Sequence, residues 1–152
     1  MKRDTTTALR TFIARFEPKH QALIRSVRKG LQRTFPGACE LVYDNYNFFV
    51  IGFSATERPS DAVVSIAAGA NGVGVCFIQG ARLADPKKVL LGSGRQTRFI
   101  RVESAAVLAR PEVRSLLAAA RAQSKVRFSS SRSRQVIIRS VSAKQRPRRR
   151  ES

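Results

Sequence analysis

The sequence has little of the residue types on which catalytic and metal sites depend. Its 152 residues include one histidine, two cysteines, no tryptophan, and 10 acidic against 29 basic side chains. A lone imidazole and scattered carboxylates do not supply the ligand clusters that zinc or iron requires. Two isolated thiols without a CxxC spacing indicate a reducing compartment rather than a disulfide framework. We therefore expect a cytoplasmic protein that is not an enzyme, with no catalytic residues, no metal and no cofactor.

Long apolar runs are also missing. The longest, residues 48–53, is far shorter than the ~20 residues that a membrane span needs. The basic N-terminal tip is not followed by the apolar segment of a secretory signal. Hydrophobic residues make up 43% of the chain, which is enough for a core. We predict one domain at residues 1–123, an extension at residues 124–152, and no membrane segment.

Positive charge is abundant and unevenly placed. The net charge is +19, and residues 124–152 alone hold ten basic side chains and one acidic one. This excess predicts attraction to polyanions such as nucleic acid, without sequence specificity. The alternative is that the extension is a solvated end. The candidate phosphate contacts are Arg139, Lys144, Arg146, Arg148, Arg149 and Arg150.

Apolar periodicity and turn signals predict an α+β fold. Helices are predicted near residues 6–16 and 19–34 and from Pro111 onward. Strands are predicted up to about Tyr43 and at 47–53, 62–68, 73–78 and 97–103, with Asn71-Gly72 as a hairpin turn. Together these elements indicate an antiparallel sheet of about five strands, with the helices packed on one face.

The extension itself has two predicted parts. The β-branched residues at 135–142 are able to add an edge strand. The remainder has no apolar surface to offset the entropy of ordering, so we expect it to be disordered on its own.

Two polar stretches within the domain are candidate ligand sites. The stretch YDNYN mixes aromatic faces with hydrogen-bonding tips, which suits a small-ligand pocket or a stacking platform. The stretch GSGRQTRFIR offers successive backbone N–H groups to an anion, with arginines beside them. Both also fit ordinary turns with solvated side chains. The candidate ligand residues are Tyr43, Asp44, Asn45, Tyr46, Asn47, Arg95, Arg98 and Arg101.

The stretches FPGACELVYDNYNFFVIGF and CFIQGARLADPKKVLLGSGRQTRFIRVES carry a family resemblance. Over residues 9–123 the chain resembles the YdhG/YdeI-like family of small bacterial domains, most of which have no known function. Some relatives are described as iron chaperones with a frataxin-like fold. Better-known relatives read Tyr-Gly-Met-Pro-Ala-Phe where this chain has residues 43–48. The resemblance implies the same α+β domain and no catalytic residues.

Three hypotheses therefore remain for the function. The first is a non-enzymatic domain that binds nucleic acid through its basic surface and extension. The second is a small-ligand or iron-handling domain of the YdhG type. The third, an enzyme, has the least support because histidine and acidic residues are so sparse. Nothing in the sequence requires a homodimer.

Overall fold

The computed structural model describes residues 2–150, and Met1, Glu151 and Ser152 lie outside the described residues. Three α-helices occur within this range: α1 (Lys2–Ala14), α2 (Pro18–Thr34) and α3 (Pro111–Gln123). Six strands complete the described part of the fold: β1 (Cys39–Asp44), β2 (Phe49–Ser54), β3 (Ala62–Gly69), β4 (Gly72–Phe77), β5 (Arg98–Val102) and β6 (Gln135–Val141). The α+β class predicted from the sequence is confirmed.

All six strands form one sheet in the order β5-β4-β3-β2-β1-β6. Neighbouring strands are antiparallel except at one edge, where β6 runs parallel to β1. The expected antiparallel sheet of about five strands is therefore corrected to a mixed sheet of six. The β-branched composition of residues 135–142 signals a strand but carries no information on its direction. That direction follows from the path of the chain, which leaves α3 and enters the sheet beside β1.

The core lies between the helices and one face of the sheet. Alternate strand residues such as Phe49, Ile51 and Phe53 are fully buried, and they share one apolar cluster with residues of all three helices. The cluster includes Phe12 of α1 and Phe16, which lies just after the helix; the rings of both are 6.0 Å from the Phe49 ring. No helix in residues 2–150 is both long and apolar enough to cross a membrane.

The helix boundaries follow local chemistry. Proline occupies the first position of both α2 and α3, where its missing N–H and fixed φ cost nothing. Before α3, the side chain of Ser104 accepts a hydrogen bond from the Ala106 N–H (3.1 Å) and begins a short 3₁₀ helix. After α2, the chain turns at Gly37, whose φ of +70° favours glycine. That turn delivers the chain into β1.

Candidate functional site

Asp44 ends β1 and lies on the same face of the sheet as the core. Its carboxylate is 1% exposed, and each oxygen has its own arginine. Arg15 Nη1 donates to Oδ2 at 3.1 Å, and Arg148 Nη2 donates to Oδ1 at 2.9 Å. The alternation of β1 explains the position, because Val42, two residues earlier, also enters the core. A ligand at Asp44 would have to displace an arginine, so the geometry gives Asp44 a structural role.

Arg148 anchors the C-terminal extension. The residue is 4% exposed, donates a second hydrogen bond to the Asn45 carbonyl (2.6 Å) and lies 6.0 Å from the centroid of the Phe16 ring. In the structure its guanidinium is therefore buried against the domain rather than presented to a phosphate. The sequence predicted disorder for this segment on its own, and the structure shows which contacts it makes with the domain. The sequence argument weighed only apolar surface, whereas a buried ion pair, a carbonyl contact and a cation–π contact order this segment.

Further backbone and side-chain contacts hold residues 142–150 around the β1–β2 turn, which spans residues 45–48. The Ser142 N–H donates to the Asp44 carbonyl (2.9 Å), and the Arg146 N–H donates to the Tyr46 carbonyl (2.8 Å). The Arg149 guanidinium donates to two carbonyls at the end of α1, at 3.1 and 3.4 Å. A cation near the carbonyls at the C-terminal end of a helix is favourable. The extension is thus fixed at three successive points.

Two aromatic side chains are exposed on this turn. Tyr46 is 51% exposed and Phe48 is 52% exposed. The guanidinium carbon of Arg146 lies 5.6 Å from the centroid of the Tyr46 ring. Phe48 rests on Gly69, where a Cβ would come within 3.3 Å of its ring. We call Tyr46, Phe48 and Arg146 the platform.

Phe48 was not among the residues predicted from the sequence, although a signal for it existed. Phe48 and Phe49 are adjacent, and neighbouring residues of an extended chain point to opposite sides. Only one of the two is able to enter the core, and Phe49 does so.

The polar residues of the same turn differ in exposure: Asn47 is exposed, whereas the Asn45 side chain accepts a hydrogen bond from Ser140 Oγ at 2.8 Å.

Several cations of the extension are exposed in and after β6. Val42 pairs with Ile138 and Tyr43 with Ser140, so Arg139 is the extra residue of a β-bulge in β6. Arg139 is exposed there. Lys144, Arg149 and Arg150 are exposed as well, and the Arg15 side chain is 47% exposed.

The structure does not bring the predicted arginines of residues 95–101 to the turn. Arg101 shares a row of paired residues with Tyr43, but β4, β3 and β2 lie between them. Four strand spacings of about 4.8 Å separate the two by about 19 Å. Arg98 pairs with Phe77 at the opposite end of the sheet and donates to carbonyls of its own loop. Arg95 is exposed on that loop. The eight candidate ligand residues therefore do not form one pocket.

The histidine is buried, and burial makes the two cysteine thiols less reactive. His20 is 7% exposed, and its Nδ1 lies 3.8 Å from a carboxylate oxygen of Glu17. Burial raises the pKa of the Cys39 thiol, with a contribution from the charge of Glu57 and an opposing one from Arg132. Burial also raises the pKa of Cys76. Raised thiol pKa values disfavour the reactive thiolate at neutral pH.

Metal ligands are not clustered in the described part of the chain. Within residues 2–150, no group of three or more histidine, cysteine, aspartate or glutamate side chains is arranged to hold a metal ion.

Comparisons with models of protein families, with curated proteins and with solved structures found no match to this chain. The resemblance to the YdhG/YdeI-like family therefore stays a prediction.

Proposed function

We propose that this domain binds single-stranded nucleic acid without sequence specificity, through the platform and the cations around it. One observation carries the proposal: two aromatic residues on the same turn are each more than half exposed, and the Arg146 guanidinium lies over the ring of one of them, Tyr46. Large apolar side chains exposed together often mark an interaction surface. Exposed aromatics beside arginine are the arrangement on which unpaired bases stack.

The charge of the chain supports the same proposal. Arg146 lies beside the Tyr46 ring, and Lys144, Arg149 and Arg150 are exposed on the same short segment, so they are candidate partners for the phosphates of a strand stacked on the platform. If about five cations engage phosphates of a single strand, the logarithm of the affinity should fall with the logarithm of the salt concentration with a slope of about −3.5. Buried Arg148 is excluded from that set.

Stacking distinguishes this proposal from simple attraction between charges. Duplex DNA hides the faces of its bases, so a surface that works by charge alone should not prefer a single strand. A surface that works by stacking should, because every unpaired base offers a flat face to an aromatic ring. The preference for a single strand over a duplex is therefore the diagnostic quantity.

The test is fluorescence anisotropy with a labelled single strand and the matching duplex, at about 50 and about 200 mM salt. We expect Tyr46→Ala or Phe48→Ala to weaken single-strand binding by about 5- to 150-fold, corresponding to about 1–3 kcal/mol per stacked base. The matched control is Leu91→Ala, which removes another exposed apolar side chain, on the loop beside β5. Equal affinity of the platform variants and the control would overturn the proposal.

Point variants are required because the extension is part of the fold. Deleting residues 124–152 would remove β6 from the sheet and would also remove Phe128, which is 6% exposed and lies 5.1 Å from the Phe35 ring. Loss of binding in such a truncation would report unfolding as readily as a lost contact.

A further inference from the structure

A second basic surface lies near the start of β1. It is a groove of about 410 Å³ between the last turns of α2 and the loop that enters β6. Four cations line it: Lys29, Arg33, Arg132 and Arg134. We call it the basic groove. Because β1 has six residues, this groove and the platform are about 17 Å apart along the strand.

The cations of the basic groove are not neutralised by the protein. Lys29, Arg33, Arg132 and Arg134 form no ion pair with any residue in 2–150. None of the lining residues, all of which the structure describes, is acidic. Their mutual repulsion is a cost that an anion in the groove would remove.

The negative groups near the basic groove either have other partners in the protein or do not line the groove. Glu40 is 1% exposed, with Arg28 at 2.6 Å and the Gln32 side-chain amide at 2.9 Å from its carboxylate. At the end of α2, where the helix dipole is negative, Arg121 donates to the Thr34 carbonyl at 3.4 Å. Glu57, on the loop after β2, is exposed and is not among the lining residues.

The shape of the groove is fixed by packing. Gly37 has a φ of +70°, and a Cβ there would lie 1.9 Å from the Ser129 carbonyl oxygen. The loop before β6 is therefore pressed directly against the turn after α2. Arg132 Nη1 donates to the Ala55 carbonyl at 2.8 Å, and this hydrogen bond holds the Arg132 guanidinium at the side of the groove. A donor that is already held in place loses little entropy when it binds a ligand.

We propose that the basic groove binds phosphate groups, and specifically compounds with two or more of them. Four cations match more than one phosphate charge, and arginine presents its donors in the fork that phosphate oxygens accept. No aromatic residue lines the groove, so it recognises the phosphates rather than an attached base or ring. The phosphates come either from a small polyphosphate compound or from the backbone of a nucleic acid.

Isothermal titration calorimetry of the full chain with inorganic pyrophosphate, at constant ionic strength, tests the site. We expect Arg33→Gln/Arg134→Gln to weaken pyrophosphate binding at least about tenfold, because two charge-assisted contacts are lost. The matched control Arg114→Gln removes an exposed cation of α3 and should bind like the unaltered chain. Tyr46→Ala should also bind pyrophosphate normally, so failure of the platform proposal and failure of this one are distinguishable.

Thermal melting without anion gives a second readout. Because the removed charges repel their neighbours, the double variant should melt at the same or a slightly higher temperature than the unaltered chain. Pyrophosphate should no longer raise the melting temperature of the double variant.

Competition identifies the source of the phosphates. Displacement of pyrophosphate by an oligonucleotide indicates backbone phosphates, and simultaneous binding indicates a small compound. No heat of binding with the unaltered chain, or equal affinity in the double variant, would overturn the proposal.

Discussion

Replacing Arg148 with methionine tests the most unexpected feature of the fold, the anchored extension. Methionine retains most of the apolar length of the side chain but removes the guanidinium. Asp44, 1% exposed, then keeps only Arg15, and the Asn45 carbonyl loses its donor. Breaking a buried ion pair by removing one partner costs about 3–5 kcal/mol.

Two features place the expected loss near the lower end of that range. Arg15 remains 3.1 Å from the carboxylate and continues to neutralise it. Nε and Nη1 of Arg148 are also buried without a hydrogen-bond partner among the described residues. The methionine variant lacks these two groups, so their unfavourable desolvation free energy is removed. We expect a loss of about 3 kcal/mol in the free energy of unfolding, which lowers the melting temperature by about 6–12 °C for a domain of this size.

The assay is urea unfolding of both chains, followed by circular dichroism and fitted with a common slope. The matched control is Arg150→Met, which removes an exposed arginine two residues away and should change stability by less than about 0.5 kcal/mol. Adding Asp44→Asn completes a double-mutant cycle, in which the two changes should be strongly non-additive. If Arg148→Met is as mild as the control, the extension is not anchored by this pair and the reasoning fails.

Two further predictions concern other parts of the fold. Gly37→Ala should cost more than about 1–2 kcal/mol in thermal unfolding, because φ is +70° and the new Cβ would overlap the Ser129 carbonyl oxygen; a variant as stable as the unaltered chain contradicts this. Cys39 and Cys76 should react with iodoacetamide at about pH 8 more slowly than a free thiol, since burial raises the pKa of both. Above about pH 8.5 the unfolded thiols release protons that the folded ones retain, so stability should fall as pH rises; rapid alkylation of the native protein would refute the burial argument.

Much of the fold could be predicted from the sequence because apolar periodicity and turn residues act locally. The helix at Pro18–Thr34 and the hairpin around Asn71-Gly72 depend on neighbouring residues alone. The direction of β6 depends on the whole path from α3, which no local pattern records. The sequence therefore yields the class and most elements, but not the parallel edge.

Less of the candidate site could be predicted, because its residues are distinguished by their three-dimensional surroundings and not by their chemistry. Arg148 and Arg149 are chemically alike and adjacent, yet only Arg148 meets a buried carboxylate. Asp44 was the available clue, since a carboxylate on the core-facing side of a strand needs a cationic partner. The sequence does not reveal which of the many arginines provides it. Likewise, the four cations of the basic groove come from segments about 100 residues apart, so no spacing links them.

The anchored extension also changes how its charge is interpreted. Ten basic residues in an unstructured end would form a diffuse cloud of charge. Because Arg148 holds the extension against the domain, the neighbouring Arg146 has a defined position beside the Tyr46 ring. Fixed geometry is what allows a surface to favour one form of nucleic acid over another. The structural role of one arginine thus supports the proposed binding role of its neighbours.

The measurement that tests the central claim most directly is an NMR titration of the ¹⁵N-labelled chain with a short thymidine single strand. Amide shifts report where the strand lies as well as whether it binds. The account predicts that the largest shifts cluster at residues 45–48 and 142–150, with little change along α3. Shifts spread evenly over all basic surfaces, or no shifts at residues 45–48, would contradict it.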